Sequence, residues 1–359
     1  MKIITVIGAR PQFVKAAVVS RALLYYRNIE EVLVHTGQHF DKNMSDIFFE
    51  EMEIPKPHYN LDINGLSHGA MTGQMLQRVE EVYIKEKPDF VMVYGDTNST
   101  IAGALAAKKL GIGVIHVEAG LRSFNRSMPE EINRILTDSI SDILFCPTDT
   151  SIINLNNEGI RDGLVKVIKN GDVMQDAAIY YADKSEKRST IMKQLGLRSN
   201  DFVLATLHRQ ENTDDLNRLT AIIKAFNNIA KEVKLIIPLH PRTRKIIERE
   251  NITTNFSIID PVGYFDMLEL LKNCKMVLTD SGGLQKEAYF FNKYCITLRN
   301  ETEWVELIQN GFNQLAGADT DKILESFGMF SNIKLNKHIE LYGGGKAAEI
   351  ISETLSEIS

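Results

Sequence analysis

Three acids stand where short apolar runs end. Asp96 follows Val91–Tyr94 across a single glycine, in Gly95-Asp96-Thr97-Asn98. Glu118 directly follows Ile115–Val117. Glu130, with Glu131 beside it, comes just after Met128-Pro129. Carboxylates that converge on one cleft can divide acid and base work, because partial burial and mutual repulsion push one pKa above the other. Asp96 and Glu131 also read as a helix cap and a solvated helix residue. Glu118, followed by Ala-Gly straight after an apolar run, fits neither description.

A second group of residues suits an anion. Gly8-Ala9-Arg10-Pro11 places an arginine on the turn after the first apolar run, with Lys15 about one helical turn later. A guanidinium fork matches a diphosphate, and a cation in the first turn of a helix opposes the helix dipole unless an anion is bound. Asp280-Ser281-Gly282-Gly283-Leu284-Gln285-Lys286-Glu287 is a glycine-rich turn into a helix, with an acid further along. The glycines let backbone approach a phosphate at a helix N-terminus, and Glu287 could accept both hydroxyls of a ribose. The plainer reading is that Asp280 or Ser281 caps the helix and Glu287 is solvated. His208-Arg209-Gln210-Glu211-Asn212 is a dense polar cluster after Val203–Leu207, and His208 could face a phosphate or act as an acid. His240, on an equivalent turn, carries less weight. Gly343-Gly344-Gly345-Lys346 lacks the remainder of a phosphate loop and reads as a helix entry. No dinucleotide fingerprint is present, and His35, His39, His116, His208 and His240 are too dispersed for a metal site. No cofactor and no metal are expected.

These turns need a scaffold that ends strands side by side. Ile3–Ile7, Val32–His35, Phe90–Tyr94, Val114–Val117 and Ile143–Cys146 read as buried strands, with helical stretches Phe13–Tyr25, Gly69–Lys85 and Thr100–Lys109 between them. The pattern restarts with Phe202–Leu207, Lys234–Pro238, Ser257–Ile259, Met276–Leu278 and Tyr294–Leu298, separated by Leu216–Ala230, Tyr264–Leu271 and Gly283–Phe291. Continuous apolar strands alternating with helices specify parallel sheets covered on both faces. The expectation is α/β, two doubly wound Rossmann-like domains: residues 1–168 completed by a terminal helix at 346–359, and residues 169–345. Leu164–Asp172 is read as the separator. Ligands bind outside the carboxyl ends of such strands, so a cleft between the domains is expected.

Composition is that of an ordinary globular protein. The 359 residues are 44% hydrophobic and 25% charged, and the net charge of -6 argues against a nucleic-acid footprint. Cys146, Cys274 and Cys295 form no CxxC pattern and suit a reducing compartment. No run approaches the ~18 apolar residues of a membrane span, and the N-terminus lacks a cleavage site. The expected location is the cytoplasm, with no membrane partner.

The motifs taken together resemble the non-hydrolysing UDP-N-acetylglucosamine 2-epimerase family. They are Gly8-Ala-Arg-Pro-Gln12, Tyr94-Gly-Asp-Thr-Asn98, His116-Val-Glu-Ala-Gly-Leu-Arg122, Met128-Pro-Glu-Glu-Ile-Asn-Arg134, His208-Arg-Gln-Glu-Asn212 and Thr279-Asp-Ser-Gly-Gly-Leu-Gln-Lys-Glu-Ala288, in order along nearly the whole chain. The resemblance implies the GT-B fold, with Lys346–Ile358 as the helix that crosses back to the first domain. It implies inversion at C2 of a UDP-2-acetamido sugar, UDP-GlcNAc to UDP-ManNAc, through elimination of UDP and a 2-acetamidoglucal, and a place in polysaccharide biosynthesis. Carried over residue by residue, Asp96, Glu118 and Glu130 are the acid/base carboxylates and Arg10 and His208 contact the diphosphate. Arg134 lies near the phosphates and Lys15 supports the site. Ser281, Gly282 and Gly283 form the phosphate turn, and Glu287 holds the ribose. The family is typically a homodimer.

Four positions depart from the commonest family pattern. The opening is Gly-Ala-Arg-Pro-Gln-Phe, the loop between Arg122 and Pro129 is short, Trp304 stands where an Arg is usual, and Asp41 replaces a glutamine of the activator site. The first three resemble a subgroup acting on UDP-2,3-diacetamido-2,3-dideoxyglucuronate, which is the alternative substrate. On this reading Trp304 offers a flat face to a sugar or uracil ring, and Arg122 or Arg126 pairs with a sugar carboxylate. Asp41 and the short loop imply no obligatory activator. A GT-B glycosyltransferase is a further alternative; it would carry an acceptor groove in place of the converging acids.

Overall fold

The computed structural model describes residues 1–38, 53, 56–333, 335 and 339–358, and of Arg10 only the backbone. Asp41 lies outside the described residues. The chain divides into two compact units, Met1–Ala177 with Glu340–Ser359, and Ala178–Ile339.

In the first unit, strands β1 (Lys2–Ile7), β2 (Glu30–His35), β3 (Tyr59–Asn60), β4 (Phe90–Tyr94), β5 (Gly113–Val117), β6 (Ile143–Cys146) and β7 (Lys166–Lys169) form one parallel sheet in the order β3-β2-β1-β4-β5-β6-β7. The segment read as a separator thus carries β7. Its pattern Lys-Val-Ile-Lys has only two apolar residues, both half-buried, which suits an edge strand and leaves little signal in sequence.

The second unit repeats the plan. Strands β8 (Phe202–Thr206), β9 (Lys234–Pro238), β10 (Ser257–Ile259), β11 (Val277–Thr279), β12 (Cys295–Thr297) and β13 (Asn313–Leu315) run in the order β10-β9-β8-β11-β12-β13, all parallel. Along β8, Val203 and Ala205 pack into one core and Phe202 and Leu204 into another. That alternation is what a sheet buried on both faces requires.

Both sheets reverse strand order at one place, between β1 and β4 and between β8 and β11. Such a reversal opens a crevice at the carboxyl ends, because the connecting helices leave to opposite faces. The turns Gly8-Ala9-Arg10 and Gly95-Asp96 flank the first reversal. His208-Arg209 and Asp280-Ser281 flank the second.

The terminal helix Ala347–Glu357 belongs to the first unit and packs against the helix Arg10–Leu23. Its first backbone N–H groups donate to the Asp176 carboxylate, Ala347 at 3.1 Å and Ala348 at 2.7 Å. Burial nevertheless raises the Asp176 pKa from 3.8 to about 6, the two N–H donors opposing only part of the cost. A carboxyl whose pKa is higher folded than unfolded contributes most stability when protonated and loses it as pH rises toward 6. Asp176→Asn does not titrate. Between pH 4 and 7 its stability relative to the parent is therefore expected to improve by up to ~3 kcal/mol, two pKa units' worth. Urea unfolding at both pH values checks this, and a pH-independent gap would contradict it.

Candidate active site

The β1 and β4 turns are held together by Gln12. Its Oε1 accepts from the N–H groups of Gly8 at 2.8 Å and Ala9 at 2.9 Å. Its Nε2 donates to the Tyr94 carbonyl at 2.8 Å and to the hydroxyls of Thr97 and Thr100, both at 3.0 Å. A glutamine amide accepts on one side and donates on the other, whereas a glutamate carboxylate accepts only. The glutamine in Gly-Ala-Arg-Pro-Gln thus has a structural reason. Arg10 starts the helix Arg10–Leu23, while its side chain lies outside the described set.

Beyond these turns the acids converge. Lys15, nearly buried, is ion-paired with Glu118, whose backbone sits at φ 73°. A non-glycine residue rarely adopts that conformation, and such outliers concentrate at functional sites. Gly95, at φ +62°, leaves room for this pair, since a Cβ there would stand 3.2 Å from Glu118 Oε2 and 3.5 Å from Lys15 Nζ. Asp96 is ion-paired with Arg134 and remains one-third exposed. Burial raises the Asp96 pKa; Arg134 and Lys15 oppose the rise, while Glu118 and Glu130 add to it. Glu130 is exposed in the first turn of the helix Pro129–Ile140. Lys15, Asp96, Glu118, Glu130 and Arg134 therefore form one charge cluster at the carboxyl ends of β4 and β5.

Glu131 has a different task. It is fully buried and accepts from Ser123 N at 3.0 Å, Phe124 N at 2.8 Å and Arg134 Nε at 3.0 Å. Burial opposes its charge, but these donors hold its pKa below the ordinary value. It fixes the Ser123–Met128 loop and orients Arg134.

In the second unit Asp280 does not cap the following helix. It is fully buried and accepts from His208 N at 2.9 Å, Arg209 N at 2.9 Å and His208 Nδ1 at 3.0 Å. Burial works against its charge, and the His208 and backbone donors outweigh it, so its pKa is lowered. The carboxylate thereby orients the half-exposed His208 ring and leaves Nε2 as the nitrogen not engaged by Asp280. Ser281 stands at the N-cap of the helix Gly282–Phe290, with Gly282 and Gly283 in its first turn. A Cβ at Gly282 would stand 2.3 Å from Glu303 Oε1, so the absent side chain matters there. Glu287 is buried rather than solvated.

Two expectations are corrected. Trp304 is 4% exposed, and Lys286 Nζ lies 3.8 Å from its ring centroid. The indole therefore packs against a buried cation and does not present an open face to a sugar. Arg122 is buried and paired bidentately with Glu158, both contacts 2.7 Å, and with Asp138 at 2.7 Å. Its charge is already balanced, and it is not available to a sugar carboxylate. Arg126 is exposed.

The sequence reading also passed over Gln12, Asn133 and Asp138 as site-building residues. The signal for Gln12 was its place inside the first motif. Asn133 and Asp138 gave none, because neighbouring turns had first to be brought against their helix. Among the described residues no His, Cys, Asp and Glu cluster could hold a metal ion, and no helix is long and apolar enough to cross a membrane.

Residues 21–356 match the family model described as UDP-N-acetylglucosamine 2-epimerase. The chain is 55% identical to the UDP-2,3-diacetamido-2,3-dideoxy-D-glucuronate 2-epimerase of Pseudomonas aeruginosa, across 100% of both chains. It is 44% identical to a UDP-N-acetylglucosamine 2-epimerase of Methanococcus maripaludis, over 98% of this chain and 97% of that one. Among solved structures, the Methanocaldococcus jannaschii UDP-GlcNAc 2-epimerase in complex with UDP-GlcNAc and UDP superimposes with a TM-score of 0.90 at 42% identity, over 99% of this chain and 100% of that one.

Proposed function

This chain belongs to the UDP-N-acetylglucosamine 2-epimerase family, and from that premise we propose that it inverts C2 of a UDP-2-acetamido sugar without a cofactor. The observation that carries the reading is the charge cluster of Asp96, Glu118, Glu130, Lys15 and Arg134 on adjacent strand ends, in a chain that matches the family along nearly its whole length. The second unit holds UDP. His208 and the Ser281-Gly282-Gly283 turn receive the diphosphate, and Glu287 receives the ribose. The first unit supplies the acid/base groups, with Arg10 and Arg134 assisting the phosphates.

In the forward half-reaction the C1–O bond to UDP breaks, its electron pair leaves with the β-phosphate, and the C2 proton passes to a carboxylate. Positive charge developing at C1 acidifies that C–H. The products are UDP and a 2-acetamidoglucal. A proton then returns to C2 from the opposite face while a β-phosphate oxygen re-forms the bond to C1. Two faces require two proton carriers, which several carboxylates provide. Retention of UDP makes its return effectively unimolecular.

The substrate is read as the UDP-2,3-diacetamido uronate, favoured by 55% identity across the whole of both chains. UDP-GlcNAc is the second reading, favoured by the family match and by the M. jannaschii structure that contains it. Proton NMR of the protein with each sugar separates them. A higher kcat/KM for the diacetamido uronate is expected, and equal or better turnover of UDP-GlcNAc would reverse the choice. We also infer a homodimer, which light scattering tests directly.

A further inference from the structure

His116 is wholly buried on β5, and each ring nitrogen faces an acceptor. Nδ1 lies 2.7 Å from Asp138 Oδ1, and Nε2 lies 2.8 Å from the Gly95 carbonyl oxygen. A carbonyl can only accept. Nε2 therefore carries a proton toward the Gly95 carbonyl, and Nδ1 pairs with the Asp138 carboxylate, so one ring ties the β5 strand to both.

The contacts continue as a chain, His116–Asp138–Arg122–Glu158, in which the Arg122 guanidinium lies between two carboxylates.

Asp138 is also the hub of both acid-bearing turns. Through His116 it holds the Gly95 carbonyl, which is the peptide that sets the direction of Asp96. Its Oδ2 accepts from Gly120 N at 3.1 Å, two residues after Glu118, and from Arg122, which in turn donates to the Leu121 carbonyl at 2.7 Å. From the same helix, Asn133 Nδ2 donates to the Asp96 carbonyl at 2.9 Å, and Arg134 meets the Asp96 carboxylate. Asp96 is thus gripped at the peptide before it, at its own carbonyl and at its side chain.

We propose that His116 is a positioning residue that, with Asp138 as hub, locks the Asp96 and Glu118 turns into one geometry for proton transfer at C2. This rests on the reading of Asp96 and Glu118 as the acid/base pair. It assigns His116 no contact with the sugar.

The test is kinetic. His116→Gln carries both of its N–H donors on one nitrogen and cannot span the two acceptors on opposite sides of the ring, so kcat should fall ~100-fold with KM within about threefold, because displacement of a catalytic group by about 1 Å has that scale. Asn133→Ala, a milder change kept in case His116→Gln does not fold, should lower kcat ~10-fold, the value of one lost hydrogen bond. Asp96→Asn run in parallel keeps the two ideas apart. If Asp96→Asn still exchanges the C2 hydrogen at the parental rate, the acid/base reading is wrong. If Asp96→Asn stops exchange while folded His116→Gln and Asn133→Ala turn over like the parent, only the positioning role is wrong.

Discussion

Asp96→Asn is expected to lower the rate of C2 inversion by ~10³, within the range that a positioned acid or base contributes. The affinity for UDP should change little, because His208, the Ser281–Gly283 turn and Glu287, proposed to hold most of UDP, lie in the other unit and Arg134 keeps its charge. The fold should tolerate the change. Arg134, which loses a carboxylate partner, keeps Glu131, at 3.0 Å from Nε and 2.9 Å from Nη2. The readout is deuterium uptake at C2 during turnover in D2O, followed by proton NMR, with no nicotinamide or metal added. Activity in the parent without deuterium incorporation would remove the mechanism altogether.

The same residue sets a pH dependence. Burial raises the Asp96 pKa, and Arg134 holds part of that rise in check. A base must be ionised, so the acid limb of kcat/KM should lie above the ordinary aspartate value of 3.8. Asp96 and Glu118 interact, so the limb belongs to the pair and not to one residue. Removing the opposing cation in Arg134→Gln should move the limb further up in pH. A limb that moves down would mean that another group governs the profile.

Glu287→Ala should have the largest effect on binding. A buried carboxylate that accepts from ribose hydroxyls makes hydrogen bonds to a charged group, whose loss costs roughly 1.5–3 kcal/mol in all. UDP affinity should therefore weaken by roughly 10- to 100-fold, whereas kcat at saturating substrate changes little. Calorimetry with UDP and steady-state kinetics give the two numbers. If Glu287→Ala instead spared UDP binding and depressed kcat, the residues assigned to UDP and to the sugar would have to be exchanged.

Much of the architecture was legible in the residues. Strands such as Phe90–Tyr94, Ile143–Cys146 and Lys234–Pro238 fall where the sequence pattern puts them, because strands buried on both faces are continuous apolar runs. β3, β7 and β13 escaped. They lie at sheet edges and are short or polar: Tyr59–Asn60 has two residues, and Asn313-Gln314-Leu315 has one apolar side chain. Residue type also misled at Trp304 and Arg122. An indole and a guanidinium both suggest a ligand, but each already has a partner inside the protein, Lys286 in one case and Asp138 with Glu158 in the other.

The residues alone carry the two-fold repetition of the α/β pattern, the polar turns after β1, β4, β5, β8 and β11, and the residue types available for proton transfer and anion binding. These are local properties, set by periodicity and by the few residues at the end of each apolar run. Strand order, by contrast, belongs to the assembled sheets. It puts β1 beside β4 and β8 beside β11, so motifs far apart in the chain become neighbours at the two reversal points. Packing also settles which charges are free to act. Glu130 and Glu131 are adjacent in sequence, yet one is exposed near Asp96 and the other is buried as a loop anchor. A helix turns successive side chains by about 100°, and only the neighbours it packs against determine which of the two meets water.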